Sequence, residues 1–204
     1  MNKIITLSRQ YASGGREVAE KLARAYDIPF YDRALISRAA KESGFAESAF
    51  DNAEMKATNS LLYSIAMGMN AYGSPDLGYT QMSLDDRIYI AQSDVIRKVA
   101  DEGPCVIVGR CADYILRERD DVVNIFIWAS RDFRADRAIN QYGADAGKID
   151  DILARMDKRR ANYYNYHANE KWGKVTNYHL SIQSDYRGID KTVEVIKEFL
   201  ESVG

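Results

Sequence analysis

The chain has 204 residues, 46% of them apolar and 28% charged, with only three prolines; this excludes a disordered polymer and suits one globular unit with a real core. A net charge of −2 supplies no broad positive field, so bulk nucleic-acid binding is excluded and any basic surface must be local. Cys105 and Cys111 are too few for a disulfide framework, and no signal-peptide core or membrane-length apolar run is present, so a cytoplasmic protein with no membrane contact is expected.

The first predicted element is a strand over 3–7, carrying Ile4, Ile5 and Leu7. It breaks at Ser8-Arg9-Gln10-Tyr11-Ala12-Ser13-Gly14-Gly15-Arg16-Glu17 and continues as an amphipathic helix with the stripe Val18, Leu22, Ala25. A strand, a small-residue loop and a helix in that order present backbone N–H groups and a helix N-terminus to an anion. Set against GxxxxGK[ST], with Gly15 as the last motif glycine, Gln10 stands where the first belongs. Arg16 replaces the lysine and Glu17 the hydroxyl residue. On the residues alone, Gly14-Gly15 is either a phosphate cradle or an ordinary strand-to-helix turn.

A brief second strand is expected near 29–31, ending beside Asp32. Residues 41–82 do not fit a simple core; their tyrosine and methionine stripe between 63 and 72 reads as core or as contact with a second copy of the chain, a homo-oligomer. Ser83-Leu84-Asp85-Asp86 predicts a capped helix start, followed by Ile88, Ala91, Val95 and Val99. Strands follow at 105–109 and 122–128, near-continuous apolar runs of the kind buried on both faces of a parallel sheet. Then come a helix over 132–142 stopping at Gly143, a basic helix around Arg155-Met156-Asp157-Lys158-Arg159-Arg160, and a strand over 178–182. Asp190 is expected to cap a last helix bearing Val193, Ile196 and Leu200.

Alternating strands and helices imply an α/β protein of three layers around a central five-stranded parallel sheet. Ligands of such sheets sit outside the carboxyl ends of the strands, here 8–15, 31–33, 109–113, 129–131 and 183–185. His167 and His179 are not at metal-ligand spacing, so no metal site is expected from them. Arg155 and Arg159, four apart, share one helical face with Arg160 near it, which is either a phosphoryl-embracing cluster or a solvated face.

The loop, together with Pro29-Phe30-Tyr31-Asp32, Gly109-Arg110, Ile125-Phe126-Ile127-Trp128-Ala129-Ser130, Asp157-Lys158-Arg159-Arg160 and Tyr178-His179-Leu180-Ser181-Ile182, resembles the cytidylate kinase-like family of the P-loop nucleoside monophosphate kinases along essentially the whole chain. The resemblance implies a single P-loop domain over 1–204, with an acceptor-binding insert at 33–82 and a helical lid at 144–175. It implies ATP-dependent phosphoryl transfer to a nucleotide acceptor, CMP-like, with Mg2+. Ser13, Gly14, Gly15, Arg16 and Glu17 would hold the donor, and Asp32, Arg38 and Arg110 the acceptor. Arg16, Arg155, Arg159 and Arg160 would neutralise the transferring group. Where cytidylate kinases carry Gly-Arg-Asp this chain has Gly109-Arg110-Cys111, and Asp113 is the nearest substitute for the missing aspartate. Arg134 and Arg137 either flank the donor or face solvent, and Ser184 and Asp185 would line the adenine. Two other functions remain open: a P-loop kinase of a different small metabolite, and a nucleotide-binding sensor without catalysis.

Overall fold

The computed structural model describes residues 3–44 and 83–203; the predicted stripe between 63 and 72 and most of the 33–82 insert lie outside them. Five parallel strands form the sheet: β1 (Ile4–Arg9), β2 (Phe30–Tyr31), β3 (Val106–Val108), β4 (Val122–Trp128) and β5 (Leu180–Gln183), in the order β2-β3-β1-β4-β5. The register sets Leu7 against Val108 on one side and Ile125 on the other, so β1 is central. Its position explains the unbroken Ile4-Ile5 run, since both faces are covered.

Side chains alternate across the sheet, and each face has its own core. Ile5 and Leu7 join Val106, Val108, Ile125 and Ile127 beneath helix α1 (Gly15–Tyr26). Val18, Ala19 and Leu22 form the buried stripe of α1, each 0% exposed; burial of Val18 and Leu22 stabilises by roughly 1.5–3 kcal/mol apiece. The last helix, Ile189–Ser202, packs there too through Val193, Ile196 and Leu200. Ile4 and Ile107 point to the other face, under α2 (Arg33–Ser43), α3 (Leu84–Glu102) and the short α4 (Ala112–Ile115). The remaining helices are α5 (Arg131–Tyr142) and α6 (Ile149–Ala168), which makes the last helix α7.

Ser83 caps α3 as expected, its Oγ accepting the Asp86 N–H at 3.1 Å. Gly143 ends α5 in a left-handed conformation at φ 67°. Asp190 does not cap α7: Gly188 holds that position without a side-chain bond. Asp190 lies in the first turn instead, where a carboxylate suits the helix dipole and pairs with Lys21 at 2.5 Å. The fifth strand starts two residues later than predicted, because a 3-10 turn at Val175–Asn177 delivers Tyr178 into contact with Phe126, ring centroids 4.9 Å apart. The C-terminal half of α6 is no loose flap. Tyr163, Tyr164 and Ala168 are buried in the same core cluster as Ile4 and Leu35.

Candidate functional site: the loop after β1 and the arginine cleft

The loop leaves β1 through two left-handed residues, Ala12 at φ 60° and Gly14 at φ 80°. A Cβ at Gly14 would overlap Cδ1 of Ile189, and one at Gly15 would come within 2.6 Å of the Arg9 Cβ, so both positions require glycine for packing. The first turn of α1 follows, and its N–H groups have no intrahelical partners. Ala12 packs with Ala135, Ala138, Ile149 and Leu153, which presses the loop against α5 and α6.

Asp157 and Arg134 grip the loop from both sides of one residue. The Tyr11 N–H donates to Asp157 Oδ1 at 2.7 Å, Arg134 Nε donates to the Tyr11 carbonyl at 2.7 Å, and Arg134 Nη2 donates to Asp157 Oδ2 at 2.5 Å. Arg137 lies alongside, 3.0 Å from Glu17 and against Gly14, with its Nε buried and unpartnered among the described residues. Arg134 and Arg137 are thus buried against the loop, and solvent-facing roles for them are ruled out. The reason is geometric: they are three residues apart on the face of α5 that carries Ala135 and Ala138 inward.

The expected donor residues are placed unequally. Ser13 is buried, and its hydroxyl donates to the carbonyls of Gln10 at 2.9 Å and Ile127 at 3.3 Å, so it stitches the loop rather than offering a proton to a ligand. Arg16 leans outward, with Nε 2.8 Å from Asp32 Oδ2 and the guanidinium over the Phe30 ring at 5.8 Å; the hydrogen bond it donates to Asp32 raises its pKa. Glu17 is held by Arg137 and by Lys21 at 3.4 Å.

Beside the loop, at the carboxyl ends of β1 and β3, lies a cleft of about 50 Å³ lined by Ser8, Arg9, Arg110, Arg160, Tyr163 and Trp172, among others. Three arginines therefore line it. Asp32 reaches Arg9 at 3.9 Å as well as Arg16 and so links the cleft to the loop mouth. Arg160 Nη1 donates to the Arg9 carbonyl at 3.0 Å.

Other expected residues fall outside the cleft. Arg38 is taken by Glu102 at 2.5 Å and Glu42 at 3.0 Å, on the surface where α2 meets α3. Asp113 is buried beneath Tyr164, whose hydroxyl donates to it at 2.9 Å; burial pushes its carboxyl up to about 6, against that hydrogen bond. It faces a separate cavity shared with Asn124 and Glu170. Arg155 is exposed, and Arg159 turns back to Met156 Sδ at 3.7 Å. The face of α6 that meets the site runs Leu153, Asp157, Arg160, Tyr164, at spacings of four, three and four, which leaves Arg155 and Arg159 to the side. Ser184 donates to the Ser13 carbonyl at 2.5 Å, and Asp185 accepts the Ser130 N–H at 3.1 Å, so both brace the loop and α5. His167 is enclosed by Tyr89, stacked at 3.9 Å, with Tyr163 and Tyr166 edge-on; burial pushes its pKa down to about 4, and Asp86 opposes this only weakly.

The loop fits a polyphosphate. The helix N-terminus, the left-handed Gly14 and the buried Arg137 Nε all lie at one spot. The carboxylates present do not fit magnesium as direct ligands, because Glu17 and Asp32 already carry cations and no hydroxyl residue follows Arg16.

The sequence pattern of the cytidylate kinase-like family matches residues 4–186. The chain belongs to the cytidylate kinase-like family. Membership and fold place it among kinase-type phosphotransferases. The architecture is shared with an uncharacterized protein from Eubacterium ventriosum ATCC 27560, at 27% identity and a TM-score of 0.73 over 98% of this chain and 99% of that one. Shikimate kinase from Bacteroides thetaiotaomicron has the same fold at 14% identity, a TM-score of 0.54 and coverage of 98% and 99%. So does TT1252 from Thermus thermophilus, at 12% identity, 0.53 and full coverage of both chains. No curated protein matches the sequence. Among the described residues, no helix is long and apolar enough to cross a membrane.

Two residues of the candidate site carry no assigned role in the sequence reading, Arg9 and Asp157. For Asp157 the signal was there, since its spacing to Leu153, Arg160 and Tyr164 is that of one helix face.

Proposed function

We propose that the protein transfers the terminal phosphoryl group of ATP to the phosphate of a nucleoside monophosphate of the CMP or dCMP type. The observation that carries this reading is the cleft in which Arg110 and Arg160 meet directly beside the loop at the N-terminus of α1. Donor phosphates would rest on the N–H groups of the first turn of α1, with Arg16 and Arg137 supplying positive charge. An acceptor phosphate in the cleft would point an anionic oxygen at the γ-phosphorus. A bond forms from that oxygen to phosphorus as the bond to the β,γ-bridging oxygen breaks, and ADP leaves with the electron pair. An acceptor phosphate oxygen is already ionised at neutral pH, so the step needs no general base. What it needs is alignment and neutralisation of repelling anions, which fixed guanidinium groups provide. Magnesium would arrive with the nucleotide phosphates, keeping water in its remaining positions.

The test is to incubate the protein with MgATP and a panel of nucleoside monophosphates, separating ADP and diphosphate products by chromatography. CMP or dCMP conversion well above ATP hydrolysis is expected. Cys111, standing where cytidylate kinases carry an aspartate, favours a second reading in which the acceptor is another small metabolite. Shikimate and gluconate therefore belong in the panel, and turnover of either above every monophosphate would decide for that reading. ADP binding without transfer to any acceptor would overturn both and leave a nucleotide sensor.

A further inference from the structure

The turn that closes β3 holds three consecutive residues in the left-handed region: Gly109 at φ 73°, Arg110 at φ 58° and Cys111 at φ 57°. Glycine adopts this without strain, but Arg110 and Cys111 do not, and such residues persist only where their surroundings enforce them. Cys111 is also the buried N-cap of α4, and its side chain makes no capping bond there, so helix initiation does not explain the strain.

Arg9 is seated on this turn. A Cβ at Gly109 would overlap Arg9 Nη1 and lie 3.5 Å from its Cζ, so the guanidinium lies across the face that glycine leaves bare. Asp32 lies 3.9 Å from the Arg9 guanidinium, and the Arg9 carbonyl is held by Arg160. The side chain is therefore fixed by backbone shape from below and by the lid helix at its root, and its head shares a cleft with Arg110 and Arg160. Three arginines lining one small cleft give it a positive lining that is complementary to an anionic ligand.

We infer that Arg9, seated on Gly109, is a ligand of the acceptor's oxyanion, completing a three-guanidinium site with Arg110 and Arg160; this rests on the phosphotransfer reading above and adds to it a residue from β1. The ligand chemistry is an oxygen-rich planar or tetrahedral anion, a phosphomonoester or a carboxylate, both of which a guanidinium fork grips through paired N–H bonds. Arg9 binds the acceptor and does not serve the donor loop, even though it immediately precedes that loop in the chain.

Titration calorimetry with CMP, inorganic phosphate, shikimate and ADP on the wild type, Arg9→Gln, Arg9→Lys and Gly109→Ala tests this. Thermal melts establish that each variant is folded. Wild type is expected to bind at least one of the three non-ADP probes, and the one bound most tightly separates a phosphate from a carboxylate source. Arg9→Gln should weaken that probe at least tenfold and Arg9→Lys at least threefold, with ADP affinity changed less than twofold. Gly109→Ala keeps every charge but unseats Arg9, so it should reproduce most of the Arg9→Gln loss. No binding of any anionic probe by the wild type would overturn the site, as would an Arg9→Gln change below twofold. Equal loss of ADP binding would move Arg9 to the donor side and overturn its assignment. These binding readouts stand apart from turnover: if no acceptor is phosphorylated but anion binding still depends on Arg9, the phosphotransfer reading fails while the site remains.

Discussion

Removing Asp157 should unfasten the phosphate loop, and the size of the effect follows from its partners. In Asp157→Ala the Tyr11 N–H loses its 2.7 Å acceptor and the Arg134 guanidinium, whose side chain is 9% exposed, loses its carboxylate. Leaving one member of a buried pair uncompensated costs about 3–5 kcal/mol; the 17% exposure of Asp157 argues for the lower end, about 3 kcal/mol. That is a large share of the 5–15 kcal/mol that holds a typical domain together. Asp157→Asn keeps an oxygen for the Tyr11 N–H and loses only the charge, so about 1–2 kcal/mol is expected. Urea unfolding with linear extrapolation measures both. Arg134→Ala completes a cycle, and because the two side chains share one peptide, the double variant should lose at least about 1 kcal/mol less than the sum. Additive losses, or an Asp157→Ala cost below about 1 kcal/mol, would refute the clamp.

Ser13→Ala should cost about 1 kcal/mol of stability while leaving ADP affinity within twofold, since its hydroxyl bonds to the Gln10 and Ile127 carbonyls; a selective loss of ADP binding by calorimetry would contradict this. Gly14→Ala should destabilise by at least about 2 kcal/mol in urea, through left-handed strain and overlap with Ile189. Acid and base should act oppositely on two buried groups. The His167 pKa is pushed down to about 4, so its stabilising neutral state is intact above about 6.5 and lost as the pH falls towards 4, about 2–3 kcal/mol that His167→Phe should abolish. The Asp113 carboxyl is pushed up to about 6, so its contribution is greatest below about 4 and lost as the pH rises through 6. Asp113→Asn should therefore raise stability at pH 8 relative to pH 4; urea midpoints across pH 4–8 read both, and unchanged profiles would refute the burial argument.

The sheet was legible because parallel strands advertise themselves as apolar runs: Ile4-Ile5, Val106-Ile107-Val108 and Val122-Val123 each mark a strand of the structure. Helix boundaries with chemical signals, Ser83 and Gly143, were legible for the same kind of reason. The site was read less completely. Choosing Arg155 and Arg159 rested on their mutual spacing, but which face of α6 meets the loop is decided by Leu153 and Tyr164, whose burial depends on Ile4, Leu35 and the other elements around them. Arg38 and Arg9 show the same limit from opposite sides. Charge alone does not tell an arginine that will find Glu102 on a neighbouring helix from one that will lie across a glycine about a hundred residues away in the chain. Nor does the sequence mark Arg110 and Cys111 as left-handed, because neither residue type favours that region.

The fastening of α6 also bears on tempo. Its far end is sunk among Tyr163, Tyr164 and Ala168, and its middle is bound at Asp157, so the helix cannot swing as a whole. The stretch before Asp157 is held as well, because Ile149 and Leu153 are buried against Ala12, Ala135 and Ala138. Opening must first break the Asp157 contacts, and at about 3 kcal/mol the parted form would be populated roughly once in a hundred to a thousand molecules. Under the phosphotransfer proposed above, a cover so seldom parted would delay the departure of products more than the bond exchange itself.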